Sequence, residues 1–142
     1  LDWLADPSVE VSRLVELGRR WGCVVLPSSA TGLRQPVHVA DVADAILRCL
    51  DEANTAGRTY DLPGGEVLGF DEMVRRSIAR HAPGCRVLCL PTPLFKAGLG
   101  LAGLLRRAPI KPGLLARLER DQLADAGPAR EAFGYSPRGF EP

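Results

Sequence analysis

No charge of one sign predominates in this sequence of 142 residues. It contains 18 Lys and Arg against 17 Asp and Glu, so its formal net charge is +1. A domain that binds along a nucleic acid normally carries a strong basic excess on one face. The near balance of charge, with the two signs interleaved along the chain, therefore argues against nucleic-acid partners.

Long hydrophobic runs and secretion signals are also lacking. The longest apolar stretch, from Leu94 to Leu105, is interrupted by Lys96 and is shorter than the roughly 20 residues that span a bilayer. No basic N-terminal region precedes an apolar run, so no secretory signal is visible. We therefore expect no transmembrane segment and a cytoplasmic location. A membrane-surface module that uses this stretch with Arg106 and Arg107 remains an alternative.

Cysteine patterns typical of metal sites are absent. The four cysteines have no CxxC spacing, and the chain has only two histidines as further ligands. We predict free, buried thiols in a reducing compartment, and no metal site; a zinc site is the less favoured alternative. The residues concerned are Cys23, Cys49, Cys85, Cys89, His38 and His81.

The composition that is present is that of an ordinary globular protein. Apolar residues make up 46% of the chain and charged residues 25%, which disfavours a disordered tail. The length suits one domain with a single core. Because the chain begins on Leu1 and stops at Pro142 without a closing element, we expect residues 1–142 to be one domain or fragment of a longer protein.

Hydrophobic periodicity and the positions of Pro and Gly predict an α/β fold with a small, largely parallel sheet and flanking helices. Asp6 and Pro7 are the expected start of the first helix, and a mostly irregular tail is expected from Asp125 onward. The predicted helices are Pro7–Trp21, a helix that follows Val39 and ends near Ala53, a helix capped by Gly69 with Phe70, Met73, Val74 and Ile78 inward, Pro93–Arg107 and Pro112–Ala124. The predicted strands are Cys23–Leu26, Pro36–Val39, Thr59–Leu62 and Arg86–Leu90.

A literal GxGxxG motif occurs from Gly98 to Gly103. In a dinucleotide fingerprint the first Gly follows a strand directly and the motif opens a helix. Here Pro93 has already begun a helix, so we interpret the glycines as sites of close helix packing. Ser28 and Ser29 have no GxSxG turn around them, and no other catalytic group is evident. We therefore assign no catalytic, cofactor-binding or metal-binding residue.

The segment Arg34-Gln35-Pro36-Val37-His38-Val39-Ala40-Asp41-Val42-Ala43-Asp44-Ala45 resembles a hallmark of the extended short-chain dehydrogenases, the nucleotide-sugar epimerase and dehydratase family. There it marks the passage from the Rossmann part to the substrate domain. Gly57–Gly65 is similar to the family's next strand and turn. Asp125 and the segment Ala132–Pro137 are similar to its closing residues. The resemblance extends from Val24 to Glu141.

The resemblance implies a C-terminal, substrate-binding part of an NAD(P)-dependent, Rossmann-type epimerase or dehydratase. Its expected partners are a nucleotide sugar and its own N-terminal Rossmann part, and a homo-oligomer is a further expectation. The family's corresponding Arg contacts the substrate diphosphate, so Arg34 is the first candidate, with Leu33, Gln35 and His38 beside it and the loop from Pro27 lining the same cleft. A solvated surface position is the alternative for Arg34. Arg58 and Arg117 are weaker candidates.

The chain departs from the family pattern at its catalytic groups. The N-terminal GxxGxxG that seats NAD or NADP is absent, and so is the Tyr-x-x-x-Lys pair, since Gly64 follows Tyr60 at that spacing and Gly139 follows Tyr135. We therefore expect no turnover and no bound cofactor for the chain in isolation. A non-catalytic scaffold or assembly protein on the same fold is the alternative function.

Two further expectations concern stability and surface. His38 and Asp41 are expected to be structural, with the Asp41 carboxylate accepting free N–H groups in the first turn of a helix, a contribution of about 1 kcal/mol. An exposed apolar surface is expected on the Pro93–Arg107 helix and on the Cys23–Leu26 strand. It would cause the chain to self-associate.

Overall fold

The structure is a computed structural model that describes residues 3–4, 8–104 and 114–142. Its strands are β1 (Trp3–Leu4), β2 (Cys23–Pro27), β3 (Leu33–Arg34), β4 (Val37–His38), β5 (Leu68–Gly69) and β6 (Arg86–Leu90). Its helices are α1 (Ser8–Trp21), α2 (Val39–Asp51), α3 (Phe70–His81), α4 (Thr92–Leu104), α5 (Leu114–Glu119) and α6 (Gly127–Phe133), with a short 3-10 turn at Ala53–Thr55. The predicted helix start at Asp6 and Pro7 lies outside the described residues, as does the predicted helix end at Arg107.

The predicted parallel sheet is present in small form. Strands β2 and β6 pair in parallel over five residues, with Cys23 opposite Arg86 and Pro27 opposite Leu90. The described residues also form two antiparallel pairs of two residues each, β1 with β4 and β3 with β5. The sequence did not indicate these pairs, because two-residue strands carry no readable alternation.

The main core lies between the parallel pair and the helices α1 and α3. Helix α1 packs against α3 and β2, and apolar side chains from all three elements fill the space between them. The residues predicted to point inward from α3 are all buried, which confirms that prediction: Phe70, Met73, Val74 and Ile78. A second, smaller cluster joins α2 to α6 through Ala45, Ala129, Phe133 and Tyr135.

The predicted strand Thr59–Leu62 is wrong. This segment is irregular, and it is extended along the second cluster rather than along another strand. Tyr60 packs edge-on against Phe133, with ring centroids 5.3 Å apart. The alternation of apolar residues therefore reflects which side chains reach the cluster, which sequence alone does not distinguish from strand pairing.

The tail from Asp125 onward is mostly irregular, as predicted, but it contains helix α6, which the sequence did not indicate. Pro128 lies in the first turn of this helix, and Gly134 ends it in the left-handed conformation with a φ of 69°. These are the ordinary start and stop signals of a helix. The run of three prolines and three glycines obscured them.

Helix α5 ends at Glu119 rather than at the predicted Ala124. The chain beyond it bonds to the β3 region instead of continuing the helix. Gln122 N donates to Leu33 O at 2.8 Å, and Ala124 N donates to Gln35 Oε1 at 2.8 Å. Because these tertiary hydrogen bonds use the donors that a longer helix would need, the helix stops one turn early.

The four cysteines are free, but their burial is lower than predicted. Cys23, Cys49 and Cys85 are half-buried, whereas Cys89 is exposed and its sulfur lies 3.1 Å from an Arg75 guanidinium nitrogen. Burial, and to a smaller extent the neighbouring Cys23, raises the pKa of the Cys85 thiol. In the part of the chain that the structure describes, no helix is long and apolar enough to cross a bilayer.

The exposed apolar surface lies partly where it was predicted. On α4, Leu94 and Leu101 are exposed, whereas Val24 and Leu26 of strand β2 are buried. Helix α2 also has exposed apolar residues, although its periodicity predicts a buried apolar face. Val39, Ile46, Leu47 and Leu50 are 44–78% exposed. We call this set the α2 stripe. Ala45 alone of the helix's apolar residues is fully buried, because α6 covers only one side of the helix.

Candidate functional site

The candidate site lies around the segment from Pro27 to Asp41, which joins the carboxyl end of β2 to the start of α2. In parallel α/β sheets, ligands bind beyond the carboxyl ends of the strands. Strands β2 and β6 end at Pro27 and Leu90, and the loop residues that follow each strand are therefore neighbours. Ser28 N donates to Leu90 O at 2.8 Å, which extends the pairing into the loop.

Hydroxyl groups from both loops meet at this end of the sheet. The hydroxyls of Ser28 and Thr92 are 3.4 Å apart, and either oxygen can be the donor. Ser29 Oγ is buried and has no hydrogen-bond partner among the described residues. Thr92 also begins α4, whose positive dipole end lies at this point. The edge of the sheet thus offers hydroxyl donors and a helix N-terminus, a combination suited to an oxygen-rich, anionic ligand.

Arg34, in strand β3, is buried, with 1% of its surface exposed. The alternative of a solvated surface arginine is therefore wrong. Its guanidinium donates to three main-chain carbonyls: Leu33 O at 2.9 Å, Arg120 O at 2.5 Å and Arg117 O at 2.7 Å. The Phe70 ring lies below it, 5.7 Å from the guanidinium carbon to the ring centroid. The guanidinium thus joins β3 to the segment that follows α5.

The neighbours of Arg34 contribute to the same junction. Leu33 N donates to the Asp121 carboxylate at 2.8 Å, and Gln35 Oε1 accepts from Ala124 N. Gln35 O in turn accepts from Gly64 N at 3.2 Å. The predicted substrate residues Leu33, Arg34 and Gln35 are therefore brought together, and each makes hydrogen bonds to other segments of the chain.

His38 and Asp41 have the structural positions predicted for them, although Asp41 has a different partner. His38 is the N-cap of α2, and its Nδ1 accepts from Ala40 N at 3.2 Å. Asp41 lies in the first turn of α2 but binds Arg138 from the C-terminal tail: its carboxylate accepts from Arg138 N at 3.0 Å and from Arg138 Nε at 2.8 Å. The carboxylate therefore fixes the tail rather than capping its own helix.

Because Asp41 is 8% exposed and accepts several donors from one residue, we expect Asp41→Ala to lower the free energy of unfolding by about 2 kcal/mol. This is more than the loss of a simple cap. Chemical denaturation measures it, with Asp44→Ala, an exposed residue on the same helix, as the control. A loss equal to that of the control would contradict the assigned contact.

Sequence reasoning missed the part of the site contributed by the C-terminal tail. Glu66 accepts from Phe140 N at 3.1 Å and pairs with Arg76 at 2.8 Å, so the tail is fixed at a second point. Tyr135 donates to Pro63 O at 2.9 Å, and burial, with the nearby Asp41 charge as the smaller cause, raises its pKa to about 12. The two contacts of the tail, Phe140 with Glu66 and Tyr135 with Pro63, join residues more than 70 positions apart, and no local pattern indicates them.

The GxGxxG motif does not form a cofactor site. Gly98 and Gly100 lie inside α4, well past its first residue, so neither makes the turn after a strand that a dinucleotide requires. A Cβ on either of these two glycines would meet no atom within 4 Å, so no described element packs closely there. Their predicted role in close packing against a neighbour, such as another part of the protein, stays a prediction.

Comparisons with known proteins support the fold. No protein-family model matches the sequence. The chain is similar to NADH dehydrogenase [ubiquinone] 1 alpha subcomplex subunit 9, mitochondrial, of Arabidopsis thaliana, with 35% identity over 82 residues, which are 56% of this chain and 20% of that protein. It is also similar to the uncharacterized protein YbjS of Escherichia coli (strain K12), with 24% identity over 137 residues, 91% of this chain and 41% of that protein.

Among solved structures, the crystal structure of gox2253 has a similar fold. The match has a TM-score of 0.53 at 22% sequence identity, and covers 94% of this chain and 40% of that one. At this identity the likeness concerns the fold alone. The chain thus has a mixed α/β fold with a small parallel sheet and spans less than half the length of each of these proteins.

Proposed function

We propose that the chain is the substrate-binding part of an NAD(P)-dependent epimerase or dehydratase-like protein that acts on nucleotide sugars. One observation carries the proposal: the family-like segment, which forms a strand-to-helix junction at β4 and α2, follows in sequence the loop whose Ser28 hydroxyl meets that of Thr92 beyond the carboxyl ends of β2 and β6. A nucleotide sugar offers a diphosphate and many hydroxyl groups. Both are complementary to hydroxyl donors and to the N-terminus of α4.

In this proposal Arg34 is a positioning residue. Its donors hold the carbonyls of Leu33, Arg117 and Arg120, and a direct contact with the diphosphate would require it to release them. Leu33, Gln35 and His38 support the loop in the same way. We assign the ligand contacts to Ser28, Ser29 and Thr92. The hydroxyls of Ser28 and Thr92 meet beyond the carboxyl ends of β2 and β6, and Ser29 Oγ is buried with no hydrogen-bond partner among the described residues.

The cofactor belongs to a part of the protein that this chain does not supply. The residues present do not fit NAD or NADP, as Gly98 and Gly100 show, and the Tyr-x-x-x-Lys pair is absent from the sequence. We therefore propose a Rossmann-type partner, in the same polypeptide or supplied separately, that holds the dinucleotide. The α2 stripe is the surface we assign to it, and in its absence the stripe would favour self-association of the chain.

Calorimetric titration tests the proposal. UDP-glucose is expected to bind saturably to the 142-residue chain, whereas NADH is not, because only the first ligand has a matching site. Replacing Ser29 and Thr92 together with Val is expected to weaken UDP-glucose binding about tenfold, since each hydroxyl contributes about one hydrogen bond. Thr59→Val, at an exposed irregular position, is the matched control. Saturable NADH binding would overturn the assignment.

A non-catalytic subunit of a larger assembly is the second candidate. The name of the Arabidopsis relative describes a subunit of NADH dehydrogenase, and the α2 stripe offers an apolar surface for a neighbouring subunit. This function requires no ligand at the carboxyl ends of the strands. The titration separates the two candidates, since a scaffold binds neither UDP-glucose nor NADH.

A further inference from the structure

Helix α4 presents an apolar face that no described element covers. Leu94 and Leu101 are 58% and 61% exposed, and their spacing of seven places them on one side of the helix, two turns apart. Ala97 and Gly98 lie between them on the same side and are exposed. The outward face is therefore a smooth strip of small and aliphatic groups, because a Cβ at Gly98 would also meet only open space.

The charged residues in the sequence of α4 and just after it have one sign. Lys96 is the only charged residue within α4, and it is exposed. In the sequence from Thr92 to Lys111 the charged residues are Lys96, Arg106, Arg107 and Lys111, and none is acidic. Such a combination of apolar and basic residues complements a surface that is apolar within and negatively charged at its boundary.

The α2 stripe provides an internal comparison. Leu47 and Leu50 are as exposed as the leucines of α4, but their helix carries three acidic residues, Asp41, Asp44 and Asp51, against one basic residue, Arg48. An anionic surface would repel this helix. Exposure alone therefore does not select the occupant, whereas charge distinguishes α4 from α2.

We propose that α4 rests on an anionic phospholipid surface, with Leu94 and Leu101 inserted at the level of the upper acyl chains. The helix is about 20 Å long, too short for the roughly 30 Å hydrocarbon core, so it lies in the interface and does not cross it. Lys96 follows Leu94 by two residues and therefore lies on the opposite side of the helix, the side that would face the phosphates of the lipid headgroups. The face has neither aromatic anchors nor outward hydrogen-bonding groups, which protein interfaces use for specificity.

Vesicle flotation of the 142-residue chain tests this inference. The chain is expected to float with vesicles of phosphatidylcholine and phosphatidylserine, and to remain below vesicles of phosphatidylcholine alone. Leu94→Glu combined with Leu101→Glu should weaken partitioning into the vesicles about a hundredfold, because two leucine side chains that the bilayer would bury are replaced by charged ones. Lys96→Gln should weaken it about fivefold, and this effect should disappear at high salt.

The matched control is Leu47→Glu combined with Leu50→Glu, which places the same charges on the α2 stripe and should leave flotation unchanged. Circular dichroism confirms that each variant is folded. Three results would overturn the inference: no flotation of the wild-type chain, equal flotation with both kinds of vesicle, or a loss caused equally by the α2 variant. If the wild-type chain does not float but forms a dimer, and the α4 variant abolishes that dimer, the α4 face binds a second copy of the chain instead.

Discussion

Replacing Arg34 with Met is expected to lower the free energy of unfolding by about 4 kcal/mol, because three main-chain carbonyls lose their donor inside the protein. The Met side chain fills much of the same volume but cannot donate. Leu33 O, Arg117 O and Arg120 O would therefore be left without this partner. The contact with the Phe70 ring would also lose its cationic component.

Urea denaturation followed by circular dichroism measures this loss. The matched control is Arg58→Met, which makes the same replacement at an exposed arginine and should change the unfolding free energy by less than about 0.5 kcal/mol. If both variants have the same stability as the wild-type chain, Arg34 does not join β3 to the segment after α5.

Gly64→Ala is expected to destabilise the chain by about 3 kcal/mol, because the added methyl group would overlap backbone atoms of the β3–β4 connection. A Cβ at Gly64 would coincide with the space of Pro36 O and would also lie 2.6 Å from the Pro36 carbonyl carbon. Neither segment can move freely, since Gly64 N donates to Gln35 O. The substitution would therefore separate the two segments at the junction.

Gly98→Ala is the matched control, with an expected effect of the opposite sign. Gly98 lies within α4 and faces open space, so alanine should stabilise the helix by about 1 kcal/mol through its higher helix propensity. Thermal unfolding of the two variants measures both effects. Equal changes in thermal stability of the two variants would show that the Pro36 backbone does not confine the Gly64 position.

The elements that sequence analysis located well are those with long local patterns. Helices α1, α2 and α3 each have a sustained helical periodicity, and β2 and β6 are continuous apolar runs closed by proline. Burial follows the same patterns in α3 and β2, but not in α2 and β6, where several apolar side chains are exposed. The elements that were missed or misplaced depend on distant partners: the end of α5 is set by Leu33 and Gln35, and the segment at Tyr60 is held by Phe133.

The motif around Arg34 correctly indicated a strand followed by a helix, with His38 at their junction. It could not show that Arg34 is buried, since an arginine in a sequence gives no sign of which carbonyls will surround it. Likewise, Asp41 was placed in the correct helical turn, but its partner Arg138 lies 97 residues away.

Charge explains why two helices with similar apolar exposure are assigned different neighbours. The sequence pattern of α2 favoured a single buried face, but helix α6 covers only the side of α2 that carries Ala45. The remaining leucines are exposed beside acidic residues, which suits a protein neighbour. The exposed leucines of α4 have only basic residues near them in the sequence, which suits phospholipids.

Nuclear magnetic resonance mapping of ligand binding tests the central claim, that this chain carries the nucleotide-sugar site without the cofactor site. Backbone amide shifts of the labelled 142-residue chain would be followed during addition of UDP-glucose and, separately, of NADH. The account predicts saturable changes with UDP-glucose that centre on Ser28, Ser29 and Thr92, and none with NADH. Changes with NADH that centre on α4 glycines, or an absence of changes with UDP-glucose, would contradict it.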